Sequence, residues 1–387
     1  MQSSELGMRL VLLGTAGGAA TYPMAGAQRG VARQGIASAL VIDGRVHLVD
    51  AGQGVARQLT FADIGAGGPT QALSRLHSIY LTHLHSDHTM DLVNLLHCGY
   101  VQGWPERAPV EVYGPGPGPR RAVPGPLAAG PRVVGPTEPT PGTTAFVRRL
   151  IEAFAADFHD RVFAAHRRDP FTLVNTHDVA LPAAVGRGRG ASLTVDPWVV
   201  SEDDAVRVTA TLVEHGAMFP CLAYRFDTAH GSVVFSGDTV PSENLVVLSR
   251  GADVLVHEVI DARYAEWQFG PGPYDAAQQR AVATVMSKHT STDEVGSVAQ
   301  AAGVGTLVLT HLVPASVPTS RWKAAVRGFD GPVVVGEDLM ELDVAQVRST
   351  TQAGRRWRSE QPEQALMELL GRVPVGQPEV GAEAPEH

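Results

Sequence analysis

Short apolar runs separated by glycine-rich turns recur along most of the chain. Residues 9–13, 37–42 and 46–50 have the length and composition of buried β-strands. The same pattern returns at residues 77–82, 206–213, 232–235, 253–256, 306–310 and 333–335. Segments with helical periodicity lie between these runs, notably at 89–98 and 292–302. This alternation predicts an α/β protein in which helices cover sheets.

One long segment interrupts the pattern. Between Gly114 and Gly142, 16 of 29 residues are glycine or proline, which predicts a loop or an extended connector. Apolar residues then recur mostly at three- and four-residue steps and predict a helix with one buried face. They are Phe146, Val147, Leu150, Ile151, Phe154, Phe158, Val162 and Phe163. This helix has two possible roles: it packs on its own domain, or it forms a lid or dimer arm beside the active site.

Composition narrows the class of protein. With 387 residues, 44% hydrophobic and 18% charged, the chain has material for a large core. It carries 31 Lys and Arg against 40 Asp and Glu, and this net charge of −9 disfavours general nucleic-acid binding. Cys98 and Cys221 are the only cysteines and fit a reducing compartment. No segment has the ~20 apolar residues of a membrane span or a signal-peptide core, so we expect a cytoplasmic protein.

The densest cluster of candidate ligands is the motif His83-Leu-His85-Ser-Asp87-His88, between an apolar strand and a helix-like run. Side chains alternate along an extended strand, so His83 and His85 project to one side and can share a metal ion. Asp87 and His88 are offset towards the helix, where they can serve a second ion nearby. Imidazole and carboxylate without thiolate favour zinc, with manganese or iron as alternatives.

At this motif the chain resembles the metallo-β-lactamase superfamily, and Asp50-Ala-Gly52 resembles that family's early aspartate turn. Later strand-end residues match its remaining metal motifs in order. The resemblance implies a four-layered αββα sandwich holding two divalent metal ions. One ion would be held by His83, His85 and His215, the other by Asp87, His88 and His311, with Asp238 bridging them. Taken singly, His215, Asp238 and His311 can each also be explained as a strand-end turn residue or a core histidine.

Two such ions imply a hydrolase. They would activate a shared water as a bridging hydroxide and polarise the substrate's oxygen. Asp87 would orient that water or accept its proton. Asp50 and His257 with Glu258 are candidate partners that orient the ligands.

Three further segments resemble the ribonuclease Z branch of the superfamily and its relatives. They are the run from His215 to Phe226, the strand ending in His257-Glu258, and the turn Lys288-His-Thr-Ser-Thr292. The similarity covers about residues 8–341. In that branch the turn histidine assists the leaving group, which would make His289 a general acid. Simple turn geometry explains His289 equally well.

One departure from that branch affects the expected substrate. The tRNA-processing enzyme carries its substrate arm between the third-motif histidine and the bridging aspartate, but only 22 residues separate His215 from Asp238. This chain's insertion, about residues 114–200, instead lies before His215. Its arginines are offset by acidic residues, whereas a phosphate-backbone binder needs a clearly basic surface. We therefore expect a small-molecule ester substrate and no nucleic-acid partner.

Four functions follow from these observations. The favoured one is a metal-dependent hydrolase of a small phosphodiester or sulfate ester, like the phosphodiesterase and arylsulfatase-like members of the branch. The alternatives are a lactonase or carboxylic ester hydrolase, a tRNA 3′ endonuclease, and a non-catalytic metal-binding protein. We expect one domain over residues 8–344, a C-terminal helix and acidic tail over 345–387, and a homodimer.

Overall fold

The computed structural model contains two β-sheets that lie face to face. The structure describes residues 6–18, 33–65, 68–105, 109–118, 133–135, 137–183, 185 and 194–349. The first sheet contains β1 (Met8–Gly14), β2 (Ala37–Ile42), β3 (Arg45–Val49), β4 (Leu76–Tyr80), β5 (Val110–Pro115), β6 (Val174–Val179) and β14 (Met340–Asp343). The second contains β7 (Trp198–Glu202), β8 (Arg207–His215), β9 (Met218–Thr228), β10 (Gly231–Phe235), β11 (Val254–Ile260), β12 (Thr306–Val313) and β13 (Val333–Val335).

Both sheets are mixed. In the first, the order is β14-β1-β2-β3-β4-β5-β6, and the strands from β3 to β6 are parallel. In the second, the order is β13-β12-β11-β10-β9-β8-β7, and the strands from β10 to β13 are parallel. The carboxyl ends of neighbouring parallel strands meet at one edge of a sheet, where ligand sites form.

Helices occupy the connections between strands. They are α1 (Val55–Phe61), α2 (Ser86–Thr89), α3 (Leu92–Gln102), α4 (Thr143–Ala153), α5 (Ala155–His159), α6 (Glu243–Ser249), α7 (Tyr264–Phe269), α8 (Ala276–Met286), α9 (Val295–Ala302) and α10 (Thr319–Ala325).

Three apolar cores separate the layers. The central core joins Leu10 and Leu40 of the first sheet to Val208 and Phe226 of the second. The outer core of the first sheet includes residues of α1, α3 and α4, and that of the second includes residues of α6, α9 and α10. Both faces of each sheet are therefore covered, which explains why β2 is buried at every position. This arrangement is the four-layered αββα sandwich expected from the sequence.

The predicted helix of the insertion packs on its own domain. Val147 and Ile151 of α4 belong to the outer core of the first sheet, and Phe158 of α5 is also buried there. Phe154 is 45% exposed and Phe163 is 74% exposed, so the prediction of one continuous buried stripe is wrong at these two residues. A π-helical turn over Asp160–Ala164 changes the angle between successive side chains and breaks the spacing.

Other parts of the insertion contribute to the sheets. Strand β6 lies within residues 114–200 and β7 begins there, and each forms an edge of one sheet. Residues 119–132, Arg187, Arg189 and the tail beyond residue 349 lie outside the described residues. Across the described ranges, no helix has the length and apolarity needed to cross a bilayer.

Candidate metal centre

The seven residues predicted as ligands lie at the carboxyl ends of strands and form two adjoining groups. The three-histidine cluster contains His83, His85 and His215. The mixed cluster contains Asp87, His88, Asp238 and His311. Within each cluster the candidate ligand atoms lie within 4.8 Å of one another. The fold therefore brings all seven residues together.

In the three-histidine cluster the ring nitrogens converge on one point. His85 Nδ1 lies 2.9 Å from His83 Nε2 and 3.2 Å from His215 Nε2. These distances place three imidazole nitrogens where a single cation can contact them all.

The mixed cluster is built around carboxylate oxygens. Asp87 Oδ2 lies 3.3 Å from His311 Nε2 and 3.7 Å from His88 Nε2. The same oxygen accepts a hydrogen bond from the Gly18 backbone N–H at 3.1 Å. This group offers two imidazoles and two carboxylates, a donor set that suits a divalent ion.

Asp238 connects the two clusters. Its Oδ2 lies 3.6 Å from His215 Nε2 and 4.0 Å from His83 Nε2. Its Oδ1 lies 3.3 Å from His88 Nε2 and 3.3 Å from His311 Nε2. Each oxygen of one carboxylate thus faces a different cluster.

Two buried polar atoms without hydrogen-bond partners indicate whether cations fit between the clusters. His88 Nε2 and Asp238 Oδ1 are buried and, among the described residues, neither has a hydrogen-bond partner, although they lie 3.3 Å apart. A buried polar atom without a partner costs folding free energy. A cation contacting both atoms removes that cost, so the donor set fits a pair of divalent metal ions.

Local backbone geometry places these side chains. His85 is extended and directly precedes α2, so Asp87 and His88 fall in the first turn of that helix. Asp50 and His311 adopt left-handed conformations, with φ of 60° and 44°. Such conformations are strained for residues other than glycine and persist where surrounding contacts hold them.

Hydrogen bonds from the far ring nitrogens fix the orientation of two imidazoles. His88 Nδ1 donates to Asp50 Oδ2 at 2.8 Å, and His215 Nδ1 donates to the Lys288 backbone carbonyl at 2.9 Å. Asp50 also accepts from the Thr82 backbone N–H at 2.8 Å. In the neutral form of each ring, protonation of Nδ1 leaves the lone pair on Nε2, which faces the cluster.

Burial keeps most of these imidazoles in the form that binds metal. Burial lowers the pKa of His83 well below its ordinary value and lowers the pKa of His85 to about 4. Burial alone would also lower the pKa of His88, but the carboxylates of Asp238 and Asp50 raise it. His83 and His85 are therefore neutral at pH 7, whereas a cation must displace a proton from His88.

His289 lies beside the metal clusters and is paired with an acid. Its Nδ1 is 3.2 Å from Glu258 Oε2 and 4.0 Å from Asp238 Oδ2. Burial alone would lower the pKa of His289, but Glu258 and Asp238 raise it to about 9. Glu258 Oε1 is held in place by the backbone N–H of Thr290 at 2.9 Å. His289 is thus protonated at neutral pH.

Not every predicted residue joins the site, and some contacts were not anticipated. His257 is fully buried, and its Nδ1 donates to the Glu258 carbonyl rather than to a candidate ligand. Thr82 and Gly18 contact the site but were not predicted. Thr82 directly precedes the histidine motif, and Gly18 ends a glycine-rich turn after β1. Both residues could therefore have been found from their neighbours in the sequence.

Known proteins resemble this chain in sequence and in fold. No family model matches the chain. The chain is 31% identical to a ribonuclease Z of Mycobacterium sp. strain KMS over 317 residues, covering 81% of this chain and 90% of the relative.

Two solved structures share the fold. A short-form human tRNase Z has a TM-score of 0.53 at 21% identity, covering 87% of this chain and 99% of the other. The metallo-β-lactamase fold protein YhfI of Bacillus subtilis has a TM-score of 0.51 at 18% identity, covering 87% of this chain and 98% of the other. These likenesses confirm the predicted sandwich.

Proposed function

Because this chain belongs to the ribonuclease Z branch of the metallo-β-lactamase superfamily, it is a metal-dependent hydrolase, and we propose that its substrates are phosphodiesters cleaved at the paired clusters. The observation that carries the proposal is the position of Asp238, whose two oxygens face different clusters 3.3 to 4.0 Å from their histidine nitrogens. A carboxylate shared in this way suits a pair of ions that act on one phosphoryl group.

We assign one divalent ion to the three-histidine cluster and one to the mixed cluster, with Asp238 between them. Five imidazoles beside the carboxylates of Asp87 and Asp238 make zinc the expected metal, with manganese or iron as alternatives. When bound, such ions polarise phosphoryl oxygens and lower the pKa of water. Asp87, oriented by the Gly18 N–H, holds its carboxylate towards the same space.

His289 supplies the proton in this proposal. His289 Nδ1 donates its proton to Glu258 Oε2, 3.2 Å away, so the second proton of the charged ring lies on Nε2. Transfer of that proton to the departing oxygen neutralises the charge that develops as the ester bond breaks. Burial of the His289 and Glu258 side chains, 10% and 1% exposed, strengthens their pairing.

RNA is the first substrate to test, because the 31% identical relative is a ribonuclease Z. That relative goes against the expectation that the chain has no nucleic-acid partner.

A small phosphodiester is the second candidate. Between His215 and Asp238 the chain forms only β9 and β10 with short turns, so no substrate arm extends from this connection. The net charge of −9 also opposes long polyanions.

The experiment compares substrates on chelator-treated protein reloaded with Zn²⁺, Mn²⁺ or Fe²⁺. The panel contains precursor tRNA, bis(p-nitrophenyl) phosphate, p-nitrophenyl sulfate, p-nitrophenyl acetate and a lactone. We expect turnover of a phosphodiester only after metal is restored. Cleavage of precursor tRNA selects RNA, and cleavage of the nitrophenyl diester alone selects a small substrate. Turnover confined to the sulfate, acetate or lactone contradicts the proposal.

A further inference from the structure

Lys288 lies beside the metal centre and is tied to it by its backbone. It follows the exposed helix α8 and directly precedes His289. Its carbonyl accepts the Nδ1–H of His215 at 2.9 Å, so the backbone of Lys288 already positions one candidate ligand.

The side chain of Lys288 lies along the loop that follows this ligand. A Cβ atom built at Gly216 would fall 3.0, 3.1 and 3.3 Å from Cγ, Cε and Cδ of Lys288. Three consecutive carbons of the stem therefore run along the Gly216 backbone, where a Cβ atom would crowd them. Gly216 also has φ of 60°, which favours glycine independently. The stem is held against the residue next to His215.

The described residues offer no partner to the ammonium group at the end of this stem. Over the described part of the chain, Lys288 forms no ion pair, and the only hydrogen bonds found for it involve its backbone. Arginine is the usual cation here, since Lys288 and Lys323 are the only lysines beside 29 arginines. Lys323 lies exposed on α10 and serves as an internal comparison.

A substrate anion would give the Lys288 ammonium an acceptor. Asp50, Asp87, Asp238 and Glu258 carry four formal negative charges, equal to the charge of two divalent ions, and protonated His289 adds one positive charge. A phosphodiester brings one negative charge shared by two oxygens, which can each accept from a different cationic donor. A lysine ammonium is a compact donor of three hydrogen bonds and a common partner of phosphate oxygens.

We propose that the Lys288 ammonium binds an anionic oxygen of the substrate phosphodiester, which makes it a substrate-binding residue that selects anionic esters. This inference rests on the proposed phosphodiesterase function. A lysine near a helix C-terminus can also stabilise the helix dipole. That role alone predicts a change in thermal stability and none in substrate affinity.

The test compares Lys288→Met and Lys288→Arg with Lys323→Met in the metal-loaded full chain, using whichever phosphodiester the wild type cleaves. For Lys288→Met we expect KM, and the inhibition constant of inorganic phosphate, to rise about tenfold, equal to about 1.4 kcal/mol. We expect kcat to stay within about threefold. Lys288→Arg should recover part of the affinity, and Lys323→Met should match the wild type. Unchanged KM and phosphate inhibition in Lys288→Met would overturn the inference.

A second measurement separates this inference from the proposed function. Reductive methylation of the metal-loaded wild type, with and without inorganic phosphate, is followed by mass spectrometry at both lysines. We expect phosphate to slow the labelling of Lys288 and to leave Lys323 unaffected. If phosphate protects Lys288 from methylation but no phosphodiester is turned over, the anion site is supported and the proposed phosphodiesterase function is rejected. Equal labelling of Lys288 with and without phosphate rejects the anion site whatever the turnover.

Discussion

Replacing Asp50 with asparagine should weaken metal binding at the mixed cluster without removing a ligand. Asp50 Oδ2 accepts the Nδ1–H of His88 at 2.8 Å, while Oδ1 accepts the Thr82 backbone N–H at 2.8 Å. In Asp50→Asn the amide oxygen can keep the Thr82 contact, which turns the NH₂ group towards His88. Two donors then face each other, so the His88 proton moves to Nε2, the atom directed at the cluster.

The expected magnitude follows from the loss of this orienting contact. Removal of a carboxylate that orients a histidine ligand costs about 10- to 100-fold in metal affinity, or about 1.4 to 2.7 kcal/mol. The loss should fall on one ion, because the three-histidine cluster does not contact Asp50 directly over the described residues. Zinc titration calorimetry should show two sites in the wild type and one weakened site in Asp50→Asn.

Asp253→Asn is the matched control. Asp253 is also buried, and its Oδ2 accepts the backbone N–H and the hydroxyl of Ser232 at 2.9 and 3.0 Å. It directly precedes β11, at the opposite end of that strand from the metal centre. Its substitution should lower the melting temperature and leave both zinc affinities unchanged. Two wild-type zinc affinities in folded Asp50→Asn would refute the orienting role of Asp50.

Four further outcomes follow from the structure. Asp238→Asn should bind fewer than two metal ions and lose most turnover, since each oxygen faces one cluster; elemental analysis with two ions retained would contradict this. Zinc affinity at the three-histidine cluster should fall as pH drops towards the pKa of His85, about 4, because protons then compete for Nδ1; titrations at pH 6, 5 and 4 measure the fall, which should be about twofold at pH 4. Gly17→Ala should displace His311, since the new Cβ would lie 2.6 Å from its Nδ1. The mixed cluster should then bind less metal, which elemental analysis measures. His289→Gln should retain metal but lower kcat by about 10²- to 10⁴-fold, and unchanged kcat would exclude the general acid role.

Local patterns predicted an α/β protein with polar side chains at the ends of its strands, whereas the four-layered sandwich and the division of the ligands into two clusters came from the family resemblance. Short apolar runs ending in His83, His215 and His311 identify strands whose carboxyl ends carry polar side chains. Parallel pairing then places those ends at one edge, as it does for β10, β11 and β12. Neither inference required knowledge of distant contacts.

The contacts that orient the ligands could not be predicted in this way. His257 and Glu258 are adjacent on β11 and point to opposite faces, but every residue of that strand is buried. Hydrophobic pattern therefore gave no means of deciding which residue reaches the site, and only Glu258 contacts His289. The exposed Phe163 is a similar case, because a π-helical turn is not visible in residue spacing.

The position of the clusters between two sheets links metal binding to the packing of the sandwich. His83, His85, Asp87 and His88 follow β4 of the first sheet, whereas the remaining candidate ligands come from strand ends of the second. The distances across the site are thus set by the central apolar core, which includes Leu40 of the first sheet and Phe226 of the second. Cations held by both sheets favour the packed state over the unfolded chain, by about 4 kcal/mol at a free metal concentration 1,000 times Kd. The same packing holds His88 Nε2 and Asp238 Oδ1 buried and 3.3 Å apart without a hydrogen bond, an arrangement that becomes favourable once cations lie between the sheets.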